Sequence, residues 1–392
     1  MVMSKLPSDL ATWLTADFIP NWARRAVRPG EAGYLEYLTA DGLVDTRPRR
    51  TTLVTARLVY VFAHAHCLDP AGPGLAAARH GYEFLTRCCA DADGRFRHAV
   101  MPDGAAIDDR SDLYDLAFVL FACAWYARAT GEAEPLDRAE RVMGFIEHHM
   151  TAAHGGFAED SLGALPRRQN PHMHLLEACH ALAETSGEQR WLDRAGRLVE
   201  LLRDRLIDGE TGTLGEFFTA DWRAAPGAAG ALREPGHHFE WVWLLHHHAR
   251  LTGRTDLIDV AERLYRFAQT HGIARSPEGW PMALDGVDRA GVPIATTRLL
   301  WPQTEAIKAE VARIEFLDDA GARARLDGHL AALFRHWLDA RTGLWVNQID
   351  GSNQPIRAEL PVRVLYHVVL ALAETVRVTD LGGRGGRRVQ EL

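Results

Sequence analysis

The sequence predicts an all-α fold, a closed ring of six helical hairpins with short β-like segments in its loops. Three observations carry that expectation. Apolar residues recur at the helical period along nearly the whole chain, while strand-like alternation is rare and brief. The helical segments fall into consecutive pairs, punctuated by look-alike turns at Asp93-Gly94, Gly155-Gly156, Thr211-Gly212 and Thr342-Gly343-Leu344-Trp345. Two long loops interrupt the pairs, and long ordered loops usually serve a covered pocket. An open solenoid of the tetratricopeptide kind is the competing architecture, but its repeats are shorter and more regular than these.

In chain order, Trp13–Ala26 reads as an amphipathic helix and Gly30–Arg47, holding Tyr34-Leu-Glu-Tyr-Leu-Thr, as a short hairpin. Arg50–Leu68 is a second helix, with Arg57, Tyr60 and His64 on helical spacing. Gly74–Cys89 follows, ended by Asp93-Gly94, and then a short extended piece, Arg95–His98. Arg110–Thr130 is a long helix stopped by Gly131, and Leu136–Met150 is stopped at Gly155-Gly156. Pro171–Thr185 with Gln189–Ile207, and His237–Thr252 with Thr255–His271, form further pairs. The long loops are Asp208–Pro235, rich in Gly, Ala and aromatics, and Gly272–Arg298. Pro302–Leu317, Ala322–Ala340 and Pro361–Val378 complete the set. A single catalytic domain is expected over 1–380, with a flexible tail over 381–392 that includes Gly382-Gly-Arg-Gly-Gly-Arg-Arg.

Composition narrows the function. The chain has 392 residues, 47% hydrophobic and 24% charged, an ordinary globular balance that supports a large core. A net charge of −8 without a long basic run argues against a nucleic-acid surface or a polybasic membrane patch. The first residues lack the layout of a signal peptide, and no apolar run reaches membrane-spanning length. Cys67, Cys88, Cys89, Cys123 and Cys179 form no C-x-x-C pair, so reduced thiols and a cytoplasmic location are expected.

Candidate chemistry collects at helix starts. Pro235-Gly236-His237-His238-Phe239-Glu240-Trp241 puts two imidazoles, a carboxylate and an indole into one first turn, with His237 and Glu240 on one face. Proline is cheap at that place, and the helix end favours a developing anion. Three similar starts are Asn170-Pro171-His172-Met173-His174-Leu-Leu-Glu177, Trp301-Pro302-Gln303-Thr304-Glu305 and Pro361-Val-Arg363-Val-Leu-Tyr366-His367. In a ring of antiparallel hairpins alternate helices point the same way, so these four starts converge at one mouth. Each also has a plainer reading. Asn170 is an ideal N-cap, His174 and Glu177 suit an intrahelical pair, and His367 follows an apolar run like a core histidine. His246, His247 and His248 are consecutive and read as mostly structural.

Two other chemistries are weighed. His174-x-x-Glu177 and His237-x-x-Glu240 reverse the Glu-before-His order of bundle metal sites, and no H-E-x-x-H is present, so no metal is expected. Glu177, Glu240 and Glu305 are candidates for a glycosidase pair, but each carries a histidine in the same turn or nearby, better matched to moving protons near neutrality. Phosphate-loop, dinucleotide and nucleophile-elbow motifs are missing.

The segments Asn170–Ala178, Pro235–Trp241 and Trp301–Ala306, with Asp112-Leu113-Tyr114-Asp115 and Tyr366-His367, resemble the N-acylglucosamine 2-epimerase superfamily, in order and across nearly the whole chain. The resemblance implies an (α/α)6 barrel and metal-independent, cofactor-free sugar isomerisation. It implies His237 and His367 as the catalytic histidines and Glu240 as the acidic residue beside the first. Arg57, Tyr114, Asn170, His174, Trp301, Gln303 and Glu305 fall to substrate binding. Many members carry two tryptophans before Gln-x-Glu. Here Leu300-Trp301 stands there, closer to the D-mannose isomerase branch than to enzymes of a disaccharide.

The expected reaction is aldose–ketose isomerisation of D-mannose and D-fructose through a cis-enediolate. His367 exchanges the carbon-bound proton, and His237, oriented by Glu240, assists ring opening and proton movement on oxygen. Epimerisation of an aldohexose or N-acylglucosamine ranks second, a glycoside hydrolase third and a non-catalytic repeat binder last. The expected partner is a free sugar. Homodimer and monomer stay open, as does an anionic substituent met by Arg233, Arg298 or Arg363.

Overall fold

A computed structural model describes residues 5–39, 41–44, 47–91, 93–317, 319–356 and 359–383. Six helices form an inner ring: Thr52–Leu68, Leu113–Thr130, Asn170–Ser186, Pro235–Thr252, Leu300–Phe316 and Leu365–Gly383. Each packs on the next, and the last packs on the first. Their sequences explain the placement. Thr52–Leu68 is buried without a break from Val54 to Ala65, and Leu113–Thr130 is buried nearly all round. A helix with no polar face must be enclosed on every side. The outer layer is Gly74–Phe84, Glu134–His149, Gln189–Leu201, Leu257–His271 and Ala322–His336, with the stretch 10–26 as its sixth member. These are amphipathic; Gln189–Leu201 buries Trp191, Ala195, Leu198 and Val199 along one face. The described residues thus form the (α/α)6 barrel that the sequence predicts.

The first and last parts of the chain close the ring together. Tyr37–Thr39 pairs antiparallel with Glu359–Pro361, Leu38 opposite Leu360. Trp22 stacks on Trp345 at 4.6 Å and donates to the Gly343 carbonyl at 2.9 Å. Trp13 donates to the Ala340 carbonyl at 2.7 Å. Among the described residues, the local hairpin expected within Gly30–Arg47 is therefore reduced to a single bridge, Leu38 to Val44, because the far end of the chain supplies the main partner strand.

The two ends of the barrel differ. Inner helices leave through tight turns, where Gly131, Gly187 and Gly253 sit at φ 72°, 72° and 75°. A left-handed residue ends a helix at little cost only when it has no Cβ. Inner helices enter through long connections that carry all the short strand pairs among the described residues. The loop Asp208–Pro235 contains Phe217–Phe218, paired with Arg167–Arg168, and a short helix, Ala228–Ala231. The loop Gly272–Arg298 holds two small hairpins, one of Ile273–Arg275 with Pro281–Ala283 and one of Gly286–Val287 with Pro293–Ala295.

Several boundaries move for local reasons. The second helix starts at Thr52, capped by the Thr51 hydroxyl, because Arg50 and Thr51 are drawn into a strand. The fourth starts at Leu113, where Asp112 accepts from the Tyr114 amide at 2.9 Å. Pro361 belongs to the closing strand, so the last helix begins at Leu365 after the turn Val362–Val364. That helix runs to Gly383, past the expected start of a tail at 381, and residues 384–392 lie outside the described residues. Among the described residues no helix is long and apolar enough to cross a membrane.

Candidate active site

Because each hairpin returns the chain, the six inner helices all begin at the end with the long connections, and their first turns line one cup. His237 comes from the first turn of Pro235–Thr252, where Pro235 opens the helix. Its Nδ1 lies 2.8 Å from Glu216 Oε2 and 3.2 Å from Glu234 Oε2. Glu216 is fixed in turn by the Gln169 amide at 3.1 Å and the Glu234 backbone N–H at 3.3 Å. His367 comes from the first turn of Leu365–Gly383, with Nδ1 2.7 Å from Glu305 Oε1. The Trp301 ring is close to both imidazoles, 4.8 Å from His237 and 5.8 Å from His367. Gly236 permits this approach: a Cβ there would meet the Trp301 ring at 2.6 Å.

The two imidazoles differ in charge. Burial weakens the protonated form of both. At His237 the carboxylates of Glu216 and Glu234 outweigh burial and raise the pKa to about 10. At His367 burial is reinforced by the cationic neighbours Arg57 and Lys308, which hold it well below the usual range. Glu305 does not reverse this, because its other oxygen is in an ion pair with Lys308 at 2.6 Å. Near neutral pH His237 is an imidazolium and His367 is neutral. With Nδ1 of each donating to a carboxylate, Nε2 of each makes no hydrogen bond among the described residues.

The rest of the cup is buried and polar. His174 Nδ1 is 3.0 Å from Glu177 Oε2, and burial lowers its pKa to about 4. Tyr366 donates its hydroxyl to Glu177 at 2.6 Å. Arg57 donates to the Tyr114 hydroxyl at 2.6 Å and to the Arg363 carbonyl at 3.3 Å, and lies 4.1 Å from the Phe118 ring centre. Its Nε is buried without a partner. Asn170 is inside its helix, with Gln169 at the N-cap position and no capping bond, so Asn170 Oδ1 is left buried and unpaired.

The structure brings Arg57, Tyr114, Asn170, His174, His237, Glu240, Trp301, Glu305 and His367 to the same end of the ring and corrects three expected roles. Glu240 does not orient His237. One turn deeper and rotated around the helix, it lies 4.0 Å from His174 Nε2 and 3.7 Å from Lys308 Nζ, with neither oxygen hydrogen-bonded. Burial and the charge of Glu305 raise its pKa to about 8. Gln303 is no sugar contact. Its amide is saturated by the Ala283 N–H at 2.8 Å and by the carbonyls of Ala283 and Leu299, both at 2.9 Å. Glu305 is fully buried and holds His367 instead of a ligand. Arg233 is tied to Asp208 at 3.0 Å, and Arg298 to Asn353 at 2.7 Å.

Glu216, Glu234 and Lys308 were not among the expected site residues. Glu216 lies in a loop without periodicity, where no spacing rule links it to His237. Lys308 follows Glu305 by three residues, a legible helical pair, but the apolar run around it reads as core.

Three groups bring possible ligand atoms within 4.8 Å of one another: His174, Glu177 and Glu240; Glu216, Glu234 and His237; and Glu240, Glu305 and His367. The first and third share Glu240 and lie beside Lys308, whose ammonium already places a cation 2.6 Å from Glu305 and 3.7 Å from Glu240.

An (α/α)6 barrel with paired imidazoles around an aromatic platform defines a class of sugar isomerases and epimerases. The N-acylglucosamine 2-epimerase (GlcNAc 2-epimerase) family model matches residues 33–371, and the chain belongs to that family. It is 34% identical to a mannose-6-phosphate isomerase of Rhizobium meliloti, over 93% of this chain and 95% of that one. A D-mannose isomerase of Pseudomonas cannabina is 28% identical, over 82% and 81%. A cellobiose 2-epimerase structure from Spirochaeta thermophila superimposes with a TM-score of 0.83 at 25% identity, covering 96% of this chain and 97% of that one.

Proposed function

We propose that the protein interconverts D-mannose and D-fructose through a cis-enediolate. The observation that carries this reading is the pair of imidazoles beside the Trp301 ring, one neutral and one protonated, each anchored by a carboxylate at Nδ1. The open-chain aldose presents C1 and C2 to His367. Neutral Nε2 removes the C2 proton, and the electron pair moves into the C1–C2 bond as the C1 carbonyl oxygen gains charge. His237, an imidazolium, gives a proton to that oxygen and then recovers one from the C2 hydroxyl. His367 returns its proton to C1, and the ketose is formed. One base on one face suffices for this transfer. Asn170 Oδ1 and Arg57 Nε, both buried and unpaired, are left for sugar oxygens. Arg57 and the helix N-termini stabilise the enediolate, at a few kcal/mol per well-placed donor.

Support for mannose over a disaccharide comes from the D-mannose isomerase relative and from Leu300, which is fully buried and leaves Trp301 as the aromatic platform at that helix start. C2 epimerisation uses the same two groups on opposite faces and ranks second. Hydrolysis ranks lower because Glu305 and Glu177 are engaged by His367 and by His174 and Tyr366. Incubation with mannose in D2O, followed by NMR, decides between them. Fructose is the expected product, with deuterium at C1 only as far as the proton held by His367 exchanges with solvent before its return; a C2-labelled aldose without ketose rejects isomerisation.

A phosphorylated mannose is a second reading. Arg363 is exposed beside the Arg57 contact, with no hydrogen bond or ion pair from its guanidinium among the described residues, and the relative of Rhizobium meliloti is a mannose-6-phosphate isomerase. On this reading Arg363→Ala lowers kcat/KM for mannose 6-phosphate but leaves that for mannose unchanged. Equal effects on both sugars reject it.

A further inference from the structure

Lys308 lies one turn beyond Glu305, with its side chain fully buried. Its Nζ is 2.6 Å from Glu305 Oε2, 3.7 Å from Glu240 Oε1 and 4.7 Å from the centre of the Trp243 ring. Glu177 also acts on it, and the three carboxylates keep it charged against burial. Without that charge the pocket would hold several acids in a dry interior, one of them, Glu240, with both oxygens unbonded. His174 and His367 complete the surroundings. Carboxylates and imidazoles converging on one centre make the kind of donor set that suits a divalent transition metal. Here the centre is an ammonium. A structural ion pair would need one carboxylate; this one faces two within 4.0 Å, and the nearer of them carries His367 on its other oxygen.

We propose that Lys308 is a positioning residue that stands where a divalent cation would. It fixes Glu305 against His367, and removing its charge turns the pocket into a metal site. The turnover part of this inference rests on the isomerase reading above; the metal part does not.

The test uses the full chain and Lys308→Met, which keeps the length and loses the charge. After dialysis against chelator, Mn2+ binding is followed by calorimetry without sugar, and kcat and KM are measured on mannose without metal. The wild type is expected to take up no Mn2+ and the variant to bind a single ion per chain. Its kcat should fall at least about tenfold, the scale of lost support for a working group, with KM within about twofold. Mn2+ uptake by the wild type overturns the proposal, as does a variant that binds no Mn2+ or keeps wild-type kcat. If Lys308→Met does not fold, Lys308→Met with Glu177→Gln removes one charge of each sign and should restore folded protein by circular dichroism. A double variant that also stays unfolded counts against the proposal. A protein acting on some other sugar would leave the Mn2+ result unchanged, so the two readings fail separately.

Discussion

At one end of the barrel, Gly131, Gly187 and Gly253 turn inner helices into outer ones in a few residues, and a Cβ at any of them would meet nothing within 4 Å. At the other end, residues 150–169, 207–234 and 272–299 wander between outer and inner helices, and their side chains are spent on the cup. Glu216 reaches His237 from the second of these, and Ala283 in the third is clamped by Gln303. The contrast shows how the ring divides its labour. Short turns at one end hold helices in register, while long ones at the other bring groups far apart in sequence to one cluster of buried polar side chains. Changes at the two ends should therefore separate cleanly into chemistry and stability.

The largest effect belongs to the imidazoles. His367→Ala and His237→Ala should each lower kcat at least about a hundredfold with the melting temperature little changed, the usual scale for general acid–base groups. A loss below tenfold in steady-state assays would remove the histidine from the chemistry. Next is the charge on His237. In the proposed reaction it acts as an acid, so activity should be lost as pH rises through its pKa of about 10. Glu216→Gln removes a negative neighbour, lowers that pKa and moves the alkaline limb of kcat/KM to lower pH. The acid limb, set by neutral His367, lies below pH 6.5 and should stay in place. A profile whose alkaline limb does not move contradicts the assignment.

Gln303→Ala sharpens the comparison, since it alters the long-loop end without touching the sugar. It leaves buried backbone groups of Ala283 and Leu299 unpaired, at about 1–3 kcal/mol in denaturant unfolding. Turnover per folded molecule should remain near wild type; a large rise in KM instead would return Gln303 to the sugar. The smallest effect is at the tight end. Gly187→Ala forces a Cβ into a left-handed residue at about 1 kcal/mol, with kcat and KM unaltered. Any change in pH profile from that substitution would dissolve the division between the two ends.

How much was legible follows the same line. The inner helices and their glycine stops could be read because period and punctuation are local properties. His237, His367, Trp301 and Asn170 could be read because they sit in first turns marked by proline or by motif. Glu216 could not, since its link to His237 is made only when Phe217–Phe218 pairs with Arg167–Arg168 and draws the loop across the mouth. The role of Glu240 was misread because three residues of spacing give a shared face but also a step of one turn in depth, and here depth decides the partner. Lys308 was hidden by its neighbours: a cation in an apolar run gives no sign in sequence of the acids, Glu240 and Glu177, that two other helices bring to it.

The seam between Tyr37–Thr39 and Glu359–Pro361 has a consequence for synthesis. His367 follows that second strand closely, so the proposed base is positioned only by nearly the last helix to leave the ribosome. The early strand must wait for a mate more than three hundred positions downstream, and contacts of such separation form slowly. A nascent chain stalled before residue 359 would carry His237, Trp301 and Glu305 yet have an open gap in its wall, and catalysis would begin only with circularisation.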